Sequence, residues 1–214
     1  MSKIERLSEI AFTCQRPVSD SDLAFESRSR AMLAALVSHV SGKLPPKEFW
    51  KISICVNSIN QQQHMKVVGG VLRYNIKVDT EQFASLQVAD QKSMMLELIC
   101  STLSMIFSEI YGIADRLDGF AKAFLSRSCE NVFSGPAASF NEMKAFVRCH
   151  QGFADAKVYM VILNDSSEER KYLLNVVSPE EFIFNIYLNK PKWVNSSEVM
   201  LIASNGEVRS VVLE

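Results

Sequence analysis

Apolar positions along the chain follow two periods, and the switch between them organises it. Met94, Met95, Leu98, Ile99, Thr102, Leu103, Ile106, Phe107 and Ile110 recur at three- and four-residue spacing, the mark of a helix with a wide apolar face. Asp90 is its expected N-cap and Gly112 its stop. Leu117, Phe120, Ala121, Phe124, Leu125, Ser128 and Val132 keep the same spacing. The short connection between the two stretches predicts a central antiparallel helical hairpin. An earlier helix is expected over residues 21–42. Ser19 or Asp20 would cap it, Met32, Leu33, Leu36, Val37 and Val40 form its stripe, and Gly42 and Pro45-Pro46 end it.

Strand periodicity governs the remainder. Residues 3–14 fit either period, and the alternation of Ile10, Phe12 and Cys14 favours a strand in their second half. Residues 50–56 read as a strand with Ile52, Ile54 and Val56 on one face. Residues 66–78 read as another, with Leu72, Tyr74, Ile76 and Val78 opposed to Arg73, Asn75 and Lys77, and Gly69-Gly70 as a bulge. A polar loop over 57–64 would join these two into a long hairpin with one wet face. From about residue 138 strands are expected over 140–147, 158–163, 172–177, 182–188, 199–203 and 208–213, with Asn205-Gly206 as a hairpin turn. Helices grouped in the middle and strands towards the end argue against βαβ alternation. They predict one α+β domain over residues 1–214, an antiparallel sheet with helices packed on one face.

Composition narrows the function. Lys and Arg number 23 against 24 Asp and Glu in 214 residues, a formal charge of −1, which excludes a nucleic-acid binder that works through overall positive charge. The first residues, Met1-Ser2-Lys3-Ile4-Glu5-Arg6, contain no apolar signal region, and no stretch of 18 consecutive apolar residues predicts a membrane span. The five cysteines, Cys14, Cys55, Cys100, Cys129 and Cys149, are odd in number, widely spaced and free of CxxC. Reduced thiols in the cytoplasm are expected, and the triplets at Asn164 and Asn195 are read as chance matches to a glycosylation signal.

Each catalytic template finds too little to stand on. His39, His64 and His150 lack converging partners, and Cys149-His150 would point to opposite faces of a strand. No GxSxG elbow or Gly-rich phosphate loop occurs. Cys100 and Cys129 fall at or near apolar stripes, and Cys55 lies between Ile54 and Val56. No catalytic, cofactor-binding or metal-binding residue is therefore assigned, and no cofactor is expected. Charge by segment gives the remaining clue: residues 151–214 hold 6 basic and 9 acidic side chains. Asp165, Glu168 and Glu169 fall in one expected turn, and Glu180 and Glu181 follow Pro179 in another. These five are the candidate partner-binding residues, placed to meet a basic protein.

The amphipathic stretch 66–78 leads to the charged cap Asp90-Gln91-Lys92 and the helix Met94-Met95-Leu96-Glu97-Leu98-Ile99. A second helical stretch over 117–133 and the late strands follow. This layout, over residues 50–133, resembles the immunity proteins of bacterial contact-dependent and polymorphic toxin systems. The resemblance implies a small α+β cytoplasmic protein without chemistry of its own, which binds a cognate toxin domain and covers its active site. It carries over no individual residue. Near-neutral charge departs from the acidic balance common among nuclease inhibitors. A small enzyme or ligand-binding domain with a cleft between helices and sheet is the alternative.

Overall fold

The computed structural model describes residues 6–14, 18–40, 44–57, 65–113, 131–164 and 169–213, without the side chain of His39. The chain, expected as one domain, divides into two compact units, Met1–Cys129 and Glu130–Glu214. Both mix or pair elements in ways that fit the α+β expectation in outline.

The N-terminal unit is built on a four-stranded sheet in the order β1-β2-β4-β3, from β1 (Glu9–Cys14), β2 (Lys51–Val56), β3 (Lys66–Val68) and β4 (Val71–Ile76). β1 and β2 are parallel, as are β2 and β4. Residues in register therefore share a face. Ile10, Ile52 and Leu72 form one buried row, and Phe12, Ile54 and Tyr74 the next. Thr13, Ser53 and Arg73 lie on the opposite face, where the Thr13 and Ser53 hydroxyls meet at 3.1 Å.

Helix α1 (Asp20–Val40) crosses between β1 and β2. It opens on a reciprocal cap: the Asp22 amide donates to Ser19 Oγ at 3.1 Å, and the Ser19 amide donates to Asp22 Oδ2 at 3.0 Å. Phe25, Met32, Leu33 and Leu36 are buried along it, and Phe25 stacks edge-on between Phe12 and Phe83. A short helix, α2 (Thr80–Ser85), is capped by Asp79, whose Oδ1 accepts from the Gln82 amide at 2.8 Å. Helix α3 (Val88–Tyr111) follows and stops at Gly112, which takes a left-handed φ of 66°. Buried Gln91 joins the two helices by donating from Nε2 to the carbonyls of Phe83 and Leu86, each at 3.0 Å. By length and composition α3 could cross a membrane. Within this unit, however, Met95, Ile99, Leu103, Ile106 and Phe107 are buried, and Glu97, Ser101, Ser108 and Glu109 are exposed.

The C-terminal unit is all antiparallel apart from one helical turn region. One sheet contains β5 (Asn131–Ser134), β6 (Ala138–Phe140), β7 (Met143–Gln151), β8 (Ala156–Leu163) and β9 (Glu169–Val177), in the order β5-β7-β8-β9 with β6 on β7. The other has three strands, β10 (Lys192–Asn195), β11 (Glu198–Ile202) and β12 (Val208–Val212). Their inner faces share one core: Ala145, Val147, Cys149, Val158 and Met160 from the first, Val199, Leu201 and Val211 from the second. Phe184 and Tyr187 complete it from α4 (Glu181–Phe184) and the 3-10 turn Asn185–Tyr187.

Several expectations are corrected. The expected hairpin of residues 50–78 is a parallel β2–β4 pair, so β1-α1-β2 is a βαβ unit, contrary to the reading against such alternation. Gly69-Gly70 is the two-residue turn joining β3 to β4, not a bulge; φ of 58° and 76° suits the twist of a tight hairpin. Asp90 lies in the first turn of α3, and Gln87 takes the cap position without a side-chain bond. The central helical hairpin is not supported: α3 is one long helix, and Val132, placed in its expected partner, lies in β5. Residues 114–130, the rest of that partner, lie outside the described residues. Of the strand expected over 182–188, residues 182–187 are helical. Phe184 and Tyr187 are the buried positions, three apart, whereas Phe182 is exposed. A short run of alternating bulky residues is compatible with either period until packing chooses.

Candidate functional site

The outer face of the five-stranded sheet carries the densest set of exposed functional side chains. It is the face turned away from the shared core. Antiparallel register fixes its members: Lys144, Phe146, Arg148 and His150 on β7 stand opposite Leu163, Val161, Tyr159 and Lys157 on β8. Leu163, Val161, Tyr159 and Lys157 stand in turn opposite Glu169, Lys171, Leu173 and Val176 on β9. Val132 and Ser134 extend the face from β5, opposite His150 and Arg148.

A network of charges crosses its centre. Arg148 Nη1 donates to Glu169 Oε1 at 2.6 Å, and Lys171 Nζ reaches the same oxygen at 3.0 Å. The Arg148 and Glu169 positions lie on either side of β8, one level with Tyr159 and the other with Leu163. Their bridge runs diagonally over Val161, which has 0% exposure although it points to this outer side. The Arg148 guanidinium also sits over the Phe146 ring, 5.0 Å from its centroid. His150 meets Tyr159 edge-on at 5.2 Å. Open apolar groups lie beside this centre, interspersed with lysines: Val132 is 55% exposed, Leu173 56% and Val176 49%.

The hydrogen bond from Arg148, then that from Lys171, holds Glu169 below the usual carboxylate range. Glu169 is thus an ionised partner in a bridge, not a free acid at a loop tip. Asp165 and Glu168 lie outside the described residues. Glu180 is half-buried at the N-cap of α4 and Glu181 is exposed in its first turn. Glu169 and the Glu180-Glu181 pair flank opposite ends of nine-residue β9, roughly 25 Å apart at a strand's rise. The described candidate acids, Glu169 and the Glu180-Glu181 pair, therefore do not gather into one surface. Sequence reasoning missed Phe146, Arg148, His150, Lys157 and Tyr159. The alternation Lys144, Phe146, Arg148, His150 signals them once β7 is extended to Gln151.

Other chemistry is thin. Among the described residues no three His, Cys, Asp or Glu side chains converge to hold a metal ion. His64 and Cys129 lie outside the described residues. Cys149 and His150 point to opposite faces of β7, as adjacent strand residues must, and burial pushes the Cys149 thiol up to about 12. Burial, with Glu26 and Asp22 nearby, raises Cys14 to about 12 as well. Neither is a nucleophile at neutral pH. A cavity of about 330 Å³ in the C-terminal unit has an apolar floor of Met143, Ile162 and Leu213 beside Arg170, Tyr172 and Ser196. A shallower depression of about 600 Å³ lies between β4 and α3, with Tyr74, Met105 and Glu109 in its wall. Comparison with protein-family models, with characterised proteins and with solved structures finds no match.

Proposed function

We propose that this chain is a binding protein that takes a protein partner on the outer face of its five-stranded sheet. In keeping with the immunity-protein resemblance, we read the partner as a toxin domain whose active site is covered. The observation that carries the reading is the composition of that face. Exposed Val132 on β5 and Leu173 and Val176 on β9 flank a centre of Phe146, Arg148, His150 and Tyr159 on β7 and β8. Aromatic residues and Arg at a centre, with apolar contacts around them, is how protein interfaces concentrate their binding energy. The bridge over Val161 holds that centre in a fixed shape before the partner arrives, so less ordering is needed on binding.

The test uses the partner recovered with the chain from its own cells, then purified. Leu173→Asp should weaken its binding at least tenfold. Ile202→Asp, on the outer side of the three-stranded sheet, should not. Equal affinity for wild type and Leu173→Asp rejects the face. Expression of the partner alone should arrest growth, and co-expression of the chain should restore it; a harmless partner removes the toxin-neutralising half of the reading.

A second reading rests on the cavity beside Arg170. Its apolar floor and polar rim suit a small anionic ligand. A thermal shift by small carboxylates or phosphates that disappears in Arg170→Met would move the assignment to a ligand-binding domain.

A further inference from the structure

We infer that the protein surface which docks on this sheet face is acidic, the reverse of the basic partner expected from the chain's own acidic turns. The inference rests on the binding reading above. Residues 130–214 hold 8 Lys and Arg against 11 Asp and Glu. The outer face of the five-stranded sheet inverts that balance. Among the described residues of its strands it carries Lys144, Arg148, Lys157 and Lys171, with Glu169 as the single carboxylate. Glu142 and Asp155 lie in the connections at the two ends of β7, outside the strands themselves. Lys144, Lys157 and Lys171 are exposed, and Glu169 is already engaged by two cations. A basic surface on an otherwise acidic unit draws in an acidic surface and orients it, while the rest of the unit repels that partner from wrong approaches.

A protein is favoured over a nucleic acid by what the face leaves exposed. Bases bind single-strand platforms by stacking on open aromatic faces. Here the Phe146 ring is covered by Arg148 and Tyr159 is engaged by His150. The open apolar groups are Val132, Leu173 and Val176, which offer no π-face. Aliphatic side chains interspersed with lysines suit a protein partner that offers both apolar and acidic side chains.

Amide spectra of the full chain, titrated at low salt with poly-L-glutamate and separately with oligothymidylate, test this. Poly-L-glutamate should shift amides of β7, β8 and β9, and the triple variant Lys144→Glu, Lys157→Glu, Lys171→Glu should weaken it at least tenfold. If that variant fails to fold, Lys157→Gln with Lys171→Gln serves, with about a threefold loss. No binding of poly-L-glutamate, or binding that maps elsewhere, overturns the inference. Tighter binding of oligothymidylate on the same amides overturns it in favour of a nucleic acid. The binding reading itself can survive that failure. A purified partner lost with Leu173→Asp but indifferent to the lysine reversals keeps the face and removes the acidic partner.

Discussion

Arg148→Ala removes more than an ion pair, and the excess can be worked out. An exposed Arg–carboxylate pair contributes about 0.2–1 kcal/mol. Here the arginine also roofs Val161, which is fully buried, and covers one side of Phe146. Uncovering about half of the valine side chain, roughly 50 Å², adds about 1.3 kcal/mol at 25 cal/mol per Å². Lost packing on the ring adds about 0.5 kcal/mol. The total for Arg148→Ala is about 2–3 kcal/mol. Glu169→Gln keeps the arginine in place and removes only charge, so it should cost less than about 1 kcal/mol. Urea titration read by Trp193, which stacks on Phe140 at 5.5 Å, reports the C-terminal unit once Trp50 is replaced by Phe. Equal losses for the two variants, or less than about 0.5 kcal/mol for Arg148→Ala, would refute the roof. The same pair has a pH signature. Glu169 has its folded pKa lowered, chiefly by Arg148, so its contribution is full above the unfolded carboxylate pKa and fades as pH falls through the folded one. The difference between wild type and Glu169→Gln should therefore be flat at neutral pH and shrink in acid.

Leu103→Ala, at a fully buried position of α3, should destabilise the N-terminal unit by about 2–5 kcal/mol in a urea titration followed by Trp50; a loss under about 1 kcal/mol would show that the α3 stripe is not core. Cys14 and Cys149, both pushed up to about 12, should react with a thiol reagent at pH 8 only as fast as the chain opens, whereas denatured chain yields all five thiols; fast labelling of either in native protein contradicts their burial. Gly70→Ala combines a φ of 76° with a Cβ only 3.0 Å from the Trp50 indole, and should lose more than about 1 kcal/mol; a neutral result in the same titration would contradict the tight β3–β4 turn.

Long periodic stretches were legible in the sequence. The stripe of α3, the alternation of β1, β2 and β8 and the Asn205-Gly206 turn all correspond to observed elements. Parallel pairing of β2 with β4 was not legible, because alternation fixes which residues share a face but not which strand lies alongside. Helix α2, capped by Asp79, was not legible, because a six-residue helix has too few turns to show a period. The charged bridge was least legible. Arg148 and Glu169 are far apart in sequence and meet only because β7, β8 and β9 set their register, so Glu169 read as a loop acid when it is held by cations.

Site-specific photocrosslinking in the protein's own cells asks whether a protein docks on the outer face of the five-stranded sheet, with the reactive side chain placed at Leu173 in one variant and at Ile202 in another. Both positions are exposed, at 56% and 50%, and they lie on the outer sides of different sheets. The account predicts one dominant protein adduct from position 173, of the same species that binds the purified chain, and none of that species from position 202. An adduct formed only from position 202, or none from position 173 while the complex is present, would contradict it.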